Sequence, residues 1–67
     1  MSQKEAILAA LRDGQRISPL NALIRFHCLS LSQRIGQLRR EGHLILDSWL
    51  VLSSKKRVKE YHMPRLP

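Results

Sequence analysis

Sixty-seven residues make one small domain with little room for a substrate cavity, and the single cysteine, Cys28, leaves no internal disulfide to staple it. Twelve Lys+Arg against five Asp+Glu give a formal charge of +7 and a pI near 10.9, a balance that asks for an anionic partner: nucleic acid, an acidic protein or a charged membrane surface. No apolar run approaches the roughly 18 residues that span a bilayer, and the N-terminus lacks the basic-then-apolar order of a secretory signal. The expectation is therefore a cytoplasmic protein in a reducing compartment.

Ser2 to Arg12 reads as an amphipathic helix, with Ser2 and Glu5 in capping-box register and Ile7, Ala10 and Leu11 on one face. Asp13-Gly14 stops it, because glycine takes the left-handed conformation common at helix ends. Gln15-Arg16-Ile17 is a short extended link with room for one or two ladder bonds. A second helix opens with Ser18 as N-cap and Pro19 at the first helical position, where a missing N–H costs nothing. Its apolar positions are Leu20, Leu23, Ile24 and, across the turn, Phe26.

A third helix opens at Ser30, whose hydroxyl is positioned to accept from the backbone three residues on while Gln33 reaches back in a capping box. Leu31, Ile35 and Leu38 recur at i, i+4 and i+7 and form its buried stripe. Gln33, Gly36, Gln37 and Arg40, with Ser32 beside them, fall on the opposite side. Two short helices between Ser18 and Gly42, parted by a few residues, have the span of a helix-turn-helix unit.

After Glu41-Gly42 the pattern becomes strand-like. His43–Leu52 is rich in Leu, Ile, Val and Trp, Ser53–Lys56 is polar and turn-like, and Arg57–Met63 alternates at close to period two, together a hairpin with a basic tip. Trp49, Tyr61 and Met63 are expected to cover the open side of the helical core, with Phe26 also inside and Cys28 a small buried hydrophobe. The fold class this predicts is mainly α with a small β-hairpin: a winged helix-turn-helix, three helices plus a wing, over residues 1–63, with 64–67 a tail.

An outward face of amides, a hydroxyl, a guanidinium and one glycine suits the major groove, since Gln and Arg each pair bidentately with base edges. The bland meaning of such a face is a solvated helix surface. Charge placement bears on that choice: residues 1–24 hold three basic and two acidic groups, whereas 25–67 hold nine and three, and an excess gathered in one part of a domain is the footprint of a nucleic-acid binder. Lys55-Lys56-Arg57 reads as a wing tip on phosphates or the minor groove, with Arg40 and Lys59 near it. Arg34 and Arg39, at the edges of the third helix, are expected to reach phosphates, and Ser30 stands at its start.

The residues Ile7 to Leu11 before Gly14, Ile17-Ser18-Pro19-Leu20-Asn21-Ala22-Leu23, Phe26, Cys28, Leu31-Ser32, Arg34-Ile35, Leu38-Arg39, Glu41-Gly42-His43, Ile45, Trp49 and Lys56-Arg57-Val58 before Tyr61 resemble a group of small phage and prophage winged helix-turn-helix proteins. The resemblance covers nearly the whole chain and implies a DNA-binding fold with a phage regulatory or DNA-handling role. Two departures stand out: His27, where relatives usually carry Gly in the turn, and Ser30, where they often carry Arg.

Catalysis is not expected. Glu5, Asp13, Glu41, Asp47 and Glu60 are dispersed, no serine stands in a nucleophile motif, and His27, Cys28, His43 and His62 lack the spacing of a zinc site. No cofactor, metal or membrane is implied, and His43 and His62 read as surface or strand-edge residues. The expected partner is double-stranded DNA, bound as a transcriptional regulator through Ser30, Ser32, Gln33, Arg34, Gly36, Gln37, Arg39, Arg40, Lys55, Lys56 and Arg57. Two-fold pairing would lengthen the site. The alternatives are an excisionase-like, DNA-bending factor and a winged helix that inhibits a host or phage protein through its basic face.

Overall fold

The structure, a computed structural model, describes residues 2–64. Three helices, α1 (Gln3–Arg12), α2 (Pro19–Phe26) and α3 (Leu31–Arg40), precede an antiparallel hairpin of β1 (Leu46–Val51) and β2 (Arg57–His62). This is the winged helix-turn-helix arrangement the sequence predicts. Of the tail expected at 64–67, residues 65–67 lie outside the described residues.

Local chemistry sets most of the boundaries. Ser2 Oγ accepts from Glu5 N at 3.1 Å, and Gly14, at φ 87°, ends the first helix in the left-handed region. Ser18 caps α2, accepting from Asn21 N at 3.2 Å, while the Asn21 side chain takes the Ser18 N–H at 3.3 Å and completes the box. His27 sits left-handed at φ 55° and ψ 34° where α2 ends, a conformation His tolerates better than most residues. The link before α2 makes two ladder bonds: Ile17 N donates to Tyr61 O at 2.9 Å and Tyr61 N to Ile17 O at 2.8 Å. They fasten the hairpin base to the helical layer.

The core draws on the three helices, the links between them and β2: Ile7, Ala10 and Leu11 of α1, Ile17, Ala22 of α2, Cys28 in the turn, Leu31, Ile35 and Leu38 of α3, Ile45 just before β1, and Tyr61 of β2. Each large apolar side chain there contributes about 1.5–3 kcal/mol by leaving water. Leu8, Phe26 and Met63 pack against its rim.

Four expectations need correction. Trp49 is 62% exposed, because β1 runs past the last core layer at Ile45 and Tyr61 and carries the indole beyond the helices. Ser30 makes no side-chain cap: its backbone, at φ −126° and ψ 61°, directs the carbonyl rather than the hydroxyl to Gln33 N (3.1 Å) and Arg34 N (3.3 Å). The first strand begins at Leu46 rather than His43, since Gly42 at φ 99° turns the chain and the His43 N–H closes α3 on Leu38 O. The second ends at His62, one residue before Met63.

Helix α2 also buries less than its composition suggests. Ala22 is its buried residue, and Leu20, Leu23 and Ile24 face outward. A single methyl lets α2 approach the core closely, which turns the larger side chains away. Leu20 and Leu23, with Leu29 of the turn and Leu50, Leu52 and Val58 of the hairpin, line an open apolar groove of about 550 Å³.

Candidate nucleic-acid interface

Burial of Leu31, Ile35 and Leu38 fixes the rotation of α3 about its axis. The opposite side is thereby held outward, and Ser32, Gln33, Gly36, Gln37 and Arg40 line one shallow depression. A Cβ built on Gly36 meets nothing within 4 Å, so no neighbour within the chain requires glycine there. Since glycine inside a helix costs about 1 kcal/mol relative to alanine, Gly36→Ala is expected to raise stability by about that amount in chemical denaturation. If the open face lies against a duplex, the same change weakens binding.

The ends of this face are tuned by α1. Glu41, the residue after α3, forms an ion pair with Lys4, and the hydrogen bond from that ammonium, more than its charge at a distance, holds the Glu41 carboxyl below its ordinary pKa. The pair persists until pH falls through that lowered value. The carboxylate beside Arg40 is thus partnered within the chain.

Arg34 and Arg39 are both engaged internally. Arg34 Nε donates to Gln3 Oε1 at 3.2 Å and its Nη1 to Gln37 Oε1 at 3.1 Å. Arg39 donates twice to the Ile45 carbonyl, Nε at 3.1 Å and Nη2 at 2.7 Å, lies 3.6 Å from Asp47 Oδ2 and sits over the Tyr61 ring at 5.9 Å. It is the clasp between α3 and the wing.

The strand register determines what each side of the wing offers, because directly opposed residues share a face. Asp47–Tyr61, Trp49–Lys59 and Val51–Arg57 are opposed, so they continue outward from the Arg39 clasp. There Lys59 lies 3.8 Å from Asp47 Oδ2 and 5.2 Å from the Trp49 ring centre. Ser48–Glu60 and Leu50–Val58 occupy the other face, towards the groove with α2. Leu52 N donates to Lys56 O and Lys55 N to Leu52 O, both at 2.8 Å, and Lys55 is left-handed at φ 65°. That is the geometry of a short hairpin loop, and it leaves Lys55, Lys56 and Arg57 exposed.

The family model of the winged helix-turn-helix domain matches residues 2–65. The chain belongs to the winged helix-turn-helix family. No curated protein and no solved structure matches it. Membership points to DNA as the partner and to a binding module rather than an enzyme. No helix among the described residues is long and apolar enough to cross a membrane.

Within this winged helix, the sequence-derived candidates fall into three groups. Ser32, Gln33, Gly36, Gln37 and Arg40 form one surface, Lys55, Lys56 and Arg57 form the wing tip, and Arg34 and Arg39 hold the elements in place. Ser30 is exposed just before α3. Sequence reasoning missed Gln3, which borders α3 together with Lys4, and Trp49, the exposed aromatic on the wing. Neither leaves a local signal: Gln3 meets Arg34 across 31 residues, and a lone Trp in an apolar run reads as core.

Proposed function

We propose that this chain is a sequence-specific double-stranded DNA-binding regulator of phage or prophage setting, acting in the cytoplasm, with α3 in the major groove and the wing on the flanking backbone or minor groove. The observation that carries it is the outward, donor-rich side of α3, open above Gly36 and fixed by the buried stripe behind it. The resemblance to small phage proteins supports the setting. Ser32, Gln33 and Gln37 meet base edges, and Gly36 lets the helix backbone come close to them. Arg40 with Lys55, Lys56 and Arg57 meets phosphates, and Arg34 and Arg39 act mainly by holding those groups in place.

Two copies pair through the groove between α2 and the hairpin. Exposed Leu20, Leu23, Leu29 and Leu50 favour a protein partner there, and a second copy fits best: in a chain of charge +7, the groove lining holds one charged residue, Glu60. Identical chains can meet at that face with their basic surfaces turned away.

Selection of bound fragments from random DNA tests both statements. The expected product is a palindrome of two half-sites, and Gln37→Ala should flatten the preference at one position of each half-site by roughly tenfold, leaving the others intact. Fragments with no common sequence would overturn the regulator reading, and a single unrepeated half-site would overturn the pairing.

A further inference from the structure

The amide of Gln37 has only one workable orientation, and that orientation carries information about the base it reads. We propose that Gln37 addresses its base pair as a hydrogen-bond donor and selects guanine, because Arg34 holds its carbonyl oxygen. The inference rests on the DNA-binding reading above and adds a base identity to it.

A Gln side chain offers one acceptor and two donors of nearly the same shape, so its orientation follows from its partners. Here both ends of a relay fix the polarity. Gln3 Nε2 lies 3.0 Å from Phe26 O and 3.0 Å from His27 O in the turn between α2 and α3. Backbone carbonyls only accept, so the Gln3 amide nitrogen faces the turn and its oxygen faces α3.

That oxygen receives Arg34 Nε at 3.2 Å, and Arg34 Nη1 continues to Gln37 at 3.1 Å. A guanidinium only donates. The atom of Gln37 turned towards Arg34 is therefore Oε1, and the Nε2 donors are left for the surface that Gln37 shares with Gln33 and Arg40.

An unconstrained glutamine pairs with adenine, its oxygen accepting from N6 while its nitrogen donates to N7. At Gln37 the oxygen already accepts from a cation, so adenine's N6 donor would find one of its two lone pairs left and a positive charge beside it. Guanine presents two acceptors, O6 and N7, and no donor at the same place. Cytosine presents its N4 donor and is the worst match.

The relay also explains why a half-buried residue such as Gln3, on a helix that does not enter the groove, borders the reading face at all. It ties the register of α1 and the turn to the side chain that reads the base.

The experiment is selection from random DNA with the intact chain and three variants, each first checked for helical content by circular dichroism. Gln37→Ala identifies the position by losing its preference. The unmodified chain is expected to take guanine there over adenine by about tenfold or more. Arg34→Met releases Gln37 Oε1 and should turn that position to adenine. Gln37→Lys, a pure donor, should keep guanine, and it decides the matter if Arg34→Met does not fold.

Adenine at that position in the unmodified chain overturns the inference. So does guanine that survives Arg34→Met, or guanine lost in Gln37→Lys. An unmodified chain that enriches no fragment defeats the DNA-binding reading instead, which keeps the two failures apart.

Discussion

Replacing Leu38 with alanine is expected to lower the stability of this domain by about 3 kcal/mol and its melting temperature by roughly 15 °C. Leu38 is fully buried on α3 beside Leu31 and Ile35, and truncation removes its transfer energy and leaves a cavity that a domain of this size can only partly close. At 67 residues the total stability is on the order of 3–10 kcal/mol, so one methyl-for-isobutyl exchange takes a large part of it. Gln33→Ala, on the exposed side of the same helix, is expected to shift stability by no more than about 0.5 kcal/mol. Thermal melts followed by circular dichroism decide the comparison. A Leu38→Ala protein melting with its parent would mean that α3 is rotated from the position described, and the reading face with it.

That rotation was legible in the sequence because the signal is local and repeated. Leu31, Ile35 and Leu38 define a stripe by spacing alone, Ser18-Pro19 announces the start of α2, and Gly14 and Gly42 occupy the positive-φ positions that end α1 and turn the chain after α3. The polar side of α3 followed by subtraction.

What stayed illegible depends on contacts far apart in the chain. Trp49 has the composition of a core residue, and only the length of β1 relative to the helical layer exposes it. Arg39 looks like any surface arginine until Ile45 O and Tyr61 are brought to it. The outward turn of Leu20, Leu23 and Ile24 comes from Ala22 taking the inner position, a matter of which apolar residue the packing admits. Ser30 failed as a side-chain cap for a backbone reason that residue type alone does not encode.

Binding to duplex is expected to fall about 150-fold between 50 and 200 mM monovalent salt, following a log–log slope of about −3.6. The magnitude comes from a distinction the sequence could not draw, between cations that are engaged and cations that are not. Arg34, Arg39, Lys4 and Lys59 have partners within the chain, whereas Arg40, Lys55, Lys56 and Arg57 are exposed and join no ion pair among the described residues.

Four phosphate contacts, each releasing about 0.9 of a counterion, set that slope. Lys56→Ala should reduce it by about 0.9 and shrink the salt penalty to about 40-fold, with base preferences unchanged. Lys59→Ala removes the same formal charge from the same hairpin, yet Asp47 already balances it and the Trp49 ring already holds it, so the slope should change less. Titrations of one labelled duplex at several salt concentrations separate the two. Equal slopes for both variants would mean that net charge, rather than the exposed wing tip, sets the affinity.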